Sequence, residues 1–104
     1  MNEFLRYLLE KQEHCIEESK KMTEEGREDE AIFEKVRANI YGIFTTFKTP
    51  DVAAKMIDVI PKAWHESLAK AIKNNDHEKE AEERIKIAVM EDIKAEFAEA
   101  KGDM

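Results

Sequence analysis

With one cysteine, two prolines and three glycines in 104 residues, the chain is short of several things that small proteins are commonly built from. Cys15 has no partner within the chain, so neither an internal disulfide nor a paired-cysteine zinc site can form. A small secreted domain often needs such staples, which makes a reducing compartment the expectation. Gly26, Gly42 and Gly102 are isolated and make no phosphate-cradling loop. Glycine and proline are also too sparse for the many tight turns of a β-sandwich or barrel. No apolar run reaches membrane-spanning length. The start, Met1 to Arg6, has no basic region leading into an apolar stretch, so a cytoplasmic location is expected. Positive charge is in deficit too: 17 basic against 24 acidic residues give −7. Such a surface repels phosphate backbones and anionic lipid, and neither nucleic acid nor membrane is expected as a partner.

What is present is 42% hydrophobic and 39% charged residues, enough for one core with strongly solvated helix faces. The expected fold is all-α: a single domain, residues 1–104, forming a small antiparallel bundle of about four helices. Met1, Leu5, Leu8, Gln12, Cys15, Ser19 and Met22 alternate by four and three residues, the stripe of a helix reaching from about Asn2 to Glu25. Gly26 suits its C′ position. Phe33, Val36, Ile40, Ile43 and Phe47 repeat the pattern from about Glu28 to Phe47, behind an acidic first turn. The β-branched and aromatic run Ile40–Phe47 also reads as a strand, but one without a partner elsewhere in the chain. Thr49 and Pro50 open a third segment reaching about Lys73, kinked or broken at Pro61, with a break favoured. Asn75 followed by Glu78 resembles a capping box before a fourth helix, on which Ile85, Val89, Ile93 and Phe97 recur every fourth residue.

The width of these stripes bears on function. At 100° per residue the large apolar residues of the second helix span roughly 120°, which one neighbour can cover, but those of the third span roughly 220°. The first and fourth are nearly as wide, helped by Tyr7, Ile87 and Met90. A chain this short cannot make every helix central. Self-association, or docking of a partner protein helix, is therefore expected. Charge is uneven as well: Asp76–Asp103 carries ten acids and five bases, whereas Pro50–Asn74 carries three acids and four bases. Glu82–Lys86 and similar pairs make the acidic helix read as a solvated face.

Catalytic patterns are not evident. The residues three before His14, His65 and His77 are Lys11, Lys62 and Asn74, not the glutamates of a bundle di-iron site. Glu10, His14 and Glu18 share one face and chelate weakly at best, since ligands come from a single helix. His14 and Cys15 point about 100° apart and do not face one another, and Cys15 lies on the apolar stripe as a small core residue. A helix-turn-helix reading lacks a basic recognition helix. Neither an enzyme nor a cofactor nor a bound metal is expected. The sequence reads instead as a non-enzymatic helical interaction module, with Trp64, Tyr41 and Met56 as candidate interface anchors. The alternative is a small-ligand or metal-binding bundle with a pocket between helices near Gly42, Phe44 and His65.

Overall fold

A computed structural model describes residues 2–47 and 49–102, without the side chains of Asn2 and of residues 100–102. It contains four α-helices, α1 (Asn2–Glu24), α2 (Glu28–Phe44), α3 (Pro50–Lys73) and α4 (His77–Gly102), and no strand among the described residues. The turns at residues 25–27 and 74–76 fold α1 with α2 and α3 with α4 into antiparallel hairpins. Helix α1 packs along α2, α3 along α4, and the hairpins join through α2 and α4. Helix α1 touches α4 more sparingly, with Phe4 edge-on to Phe97 at 5.2 Å between ring centroids.

The hairpins lie side by side, and the bundle is flattened. Its extents are 42 × 34 × 18 Å. The radius of gyration is 14.7 Å, against about 13 Å for a compact domain of this length. The core follows from the joint. Phe4 and Leu8 of α1, Tyr41 and Phe44 of α2, and Val89, Ile93 and Phe97 of α4 are buried together, with Ala53 and Ile57 added from α3.

Helix boundaries follow from local chemistry. After α1, Gly26 has φ +80°. The Arg27 amide donates to the Met22 carbonyl at 2.8 Å and the Gly26 amide to Thr23 at 3.1 Å, the paired bonds of a Schellman ending. Helix α3 ends the same way with Asn75 in the left-handed position, φ 55°, where the Asp76 amide donates to Ala71 at 2.9 Å. The cap of α4 is therefore Asp76, one residue later than the expected Asn75, and its carboxylate accepts from the Lys79 amide at 3.2 Å. Helix α2 stops at Phe44, short of Phe47, because Thr45 and Thr46 turn their hydroxyls back onto the Gly42 and Ile43 carbonyls at 2.6 and 2.7 Å. Thr49 caps α3 through a 3.3 Å bond from the Val52 amide.

The favoured break at Pro61 does not occur, and α3 is one helix from Pro50 to Lys73. Proline at that position costs about 3 kcal/mol through a lost donor and a ring clash. Burial on both sides of it offsets that cost, with Ile57 before it and Ala71 after it packed away from solvent.

The two left-handed endings make opposite predictions. Gly26→Ala is expected to lower unfolding stability by about 1 kcal/mol, since a Cβ at positive φ is strained although no atom lies within 4 Å of it. Asn75→Gly, which removes such a Cβ, is expected to leave stability unchanged or raise it by a few tenths of a kcal/mol. Urea unfolding followed by circular dichroism measures both.

Candidate functional site

Tyr41, expected as an interface anchor, is instead buried inside the chain at 4% exposure. Its ring meets Tyr7 edge-on at 6.1 Å, and Lys11 sits 5.8 Å above the Tyr7 ring. The α1–α2 packing has taken up this apolar surface, so Tyr41 presents nothing to a partner. Met90, counted among the surplus, is buried too, and Ile87 is half-buried.

The expected pocket near Gly42, Phe44 and His65 is not assembled, because the three residues face different neighbours. Gly42 lies under the Gln12 side chain, whose Nε2 would stand 2.6 Å from a Cβ at that position. Gly42 thus permits close approach of α1, and Gln12 fills the space a ligand would need. Phe44 is 1% exposed in the core, edge-on to Phe47 at 5.2 Å. His65 is exposed on α3 and borders a cleft of about 180 Å³ with Pro61, Ile87 and Met90, on the α3–α4 side of the molecule. Among the described residues no group of three or more His, Cys, Asp or Glu is placed to hold a metal ion. Cys15 is buried. Desolvation, followed by the nearby Glu34 carboxylate, pushes its thiol up to about 11, far from a reactive thiolate at neutral pH.

Trp64 stands elsewhere. It is half-buried against the core and lines an open groove of about 270 Å³. Val36, Asn39, Ile40 and Ile43 of α2 form one wall, Trp64 of α3 the other, and Glu82 and Lys86 of α4 lie at the base. Met56 is half-buried on the same helix. The Lys86 ammonium lies 6.0 Å from the centre of the Trp64 ring, within cation–π range.

That lysine is held by a residue sequence reasoning passed over. Glu83, treated as part of a solvated face, is 1% exposed. Its Oε1 meets both Lys79 and Lys86 at 3.1 Å, while Oε2 is buried without a hydrogen-bond partner. Lys86 also reaches Glu82 at 3.5 Å. The signal was present: Glu83, Met90 and Phe97 are spaced by seven, so Glu83 shares the buried stripe of α4. Bonding to Glu83, reinforced by the charge of Glu82, holds the Lys79 ammonium above its usual range. Chemically, the arrangement fixes a cation over the tryptophan that walls the groove.

Two outcomes test this account. Glu83→Met is expected to keep or raise stability by about 1 kcal/mol, because it removes an orphaned buried oxygen while Lys79, at 43% exposure, remains solvated and Lys86 keeps Glu82. A loss above about 2 kcal/mol in thermal unfolding would refute it. Burial, first among the causes, also raises the hydroxyls of Tyr7 and Tyr41 above the ordinary tyrosine value. With folded-state values raised, these groups favour the fold fully below their unfolded values, and the benefit is lost as pH climbs. Stability is therefore expected to fall from about pH 9, through the 9.0-to-11 window of Cys15 and onward through the tyrosines, and Cys15→Ala should flatten the first part of that fall in melts across alkaline pH. Compared with known proteins, the chain matches no family model, no curated protein and no solved structure.

Proposed function

We propose that the protein is a non-catalytic helical interaction module that works as a homodimer. The observation that carries this reading is surface area. The folded chain exposes 7019 Å², whereas a folded monomer of its 12.1 kDa is expected to expose about 6000 Å². The excess, about 1000 Å², is comparable to the ~800 Å² that each partner hides in a standard-size interface. Part of the surface is apolar: Leu5, Leu9, Ile16, Ile32, Ile43, Val52, Val59 and Ile72 are each 39–54% exposed. Trp64 and Met56, half-buried beside the groove, supply the aromatic and flexible apolar anchors that interface centres favour.

Sedimentation equilibrium at micromolar concentration is expected to give twice the chain mass of 12.1 kDa. Because Trp64 is the single tryptophan, its fluorescence reports on the groove alone, and emission should shift to shorter wavelength as concentration rises through the dissociation constant. A species of single-chain mass at every concentration would overturn the reading.

A further inference from the structure

We infer that the second copy docks on one particular face, the side of the flattened bundle that opens between α2 and α3, with the α2 ridge of each copy seated in the groove of the other about a twofold axis. This rests on the homodimer reading and names its surface.

Helix geometry places the exposed apolar residues on that side. On the α1–α2 seam, Tyr7 against Tyr41 marks one side and Gln12 over Gly42 the other. At 100° per residue, Leu5, Leu9 and Ile16 lie roughly 20–60° beyond Gln12, away from Tyr7. On α2, Asn39, Ile32 and Ile43 lie roughly 60–100° beyond Gly42, away from Tyr41. These two sets therefore share a side. On α3, Ile60, Met56, Val52 and Val59 follow at roughly 40°, 80°, 120° and 140° from Trp64 in one direction. Pro61 and His65 lie roughly 60° and 100° in the other direction, and these two border the opposite cleft. Trp64 lines the groove, so the apolar arc of α3 falls on the groove side. Of the eight large apolar residues exposed among the described residues, all but Ile72 are thus on one side of an 18 Å thick molecule.

The ridge and the groove fit each other. Ile32, Val36, Asn39 and Ile43 are spaced by four, three and four, the seam of a helix that packs lengthwise on another, and among the described residues Ile32, Asn39 and Ile43 stand exposed on the open side of the groove. Twofold pairing lets one seam serve both copies, because an isologous interface uses the same patch twice. The single polar position, Asn39, is exposed and holds register in the way a lone seam asparagine does. If each copy covers its excess of about 1000 Å², the pair hides about 2000 Å², at the upper end of the standard interface range.

Charge substitutions and cross-linking test the assignment. Ile43→Glu, at a 39% exposed site, is expected to leave the helical circular dichroism intact and weaken dimerisation by about 30-fold or more, the loss of one hot-spot residue. Ile72→Glu, on the other side, is expected to leave it within about threefold, as surface substitutions outside an interface do. In a Cys15→Ala background, Asn39→Cys treated with a short bismaleimide is expected to give covalent dimers. A wild-type monomer would remove the functional reading itself. A wild-type dimer that tolerates Ile43→Glu, dissociates with Ile72→Glu, or gives no cross-link at position 39 would leave that reading standing and overturn this face. Should Ile43→Glu fail to fold, the cross-link decides alone.

Discussion

Burial against α4 is the constraint on which the arrangement depends. Helix α4 packs on each of the three others, and Val89, Met90, Ile93 and Phe97 are each 8% exposed or less. Two hairpins that must share one central helix cannot both wrap it completely. Helix α1 closes one side through Phe4 and Phe97, completing a three-helix core with α2. Helix α3 packs chiefly on α4, and its apolar arc is far wider than one neighbour can cover. The flat shape, the open groove and the exposed Val52 and Val59 follow from that asymmetry.

Glu83 belongs to the same economy of space. A carboxylate on the most buried stripe of α4 is expensive to desolvate, and its attraction to two lysines offsets only part of the cost when one oxygen stays unbonded. The stripe would be better packed with a methionine. What the carboxylate does provide is geometry: it draws Lys86 inward, over Trp64 and along the base of the groove. A lysine stem also shields apolar surface while its ammonium stays near water, which suits a face that is open in the free chain.

Much of the fold was legible in the pattern of three- and four-residue spacings. The four helices, the Gly26 ending and the Thr49–Pro50 start are where periodicity and capping chemistry put them. The misses have physical causes. Pro61 does not break α3 because tertiary burial outweighs one lost hydrogen bond, a balance that local propensity does not contain. The end of α2 depends on two threonine hydroxyls that fold back on the helix. The candidate site was legible only as a quantity. Stripe width announced surplus apolar surface, but its location depends on which helix neighbours which. Tyr41 and Met90 were absorbed into the core by α1 and α3, while Ile32 and Ile43 were left out. Gly42, Phe44 and His65 look adjacent to a pocket only until helix phase is combined with neighbour order, which sends them to three different surroundings.

The size of the exposed face constrains the proposed dimer. At ~25 cal/mol per Å², offsetting the ~4–15 kcal/mol that association consumes takes up to about 600 Å² of apolar surface hidden across the two copies together. A lone contact along the α2 ridge therefore makes a weak dimer. Stable pairing has to enlist the α3 wall, with Trp64, Met56 and Ile60, in the same contact. Seating each ridge in the opposite groove does this, because every ridge residue then meets α2 and α3 of the other copy together. The same requirement disfavours a short partner peptide, which would cover one wall and leave the other in water.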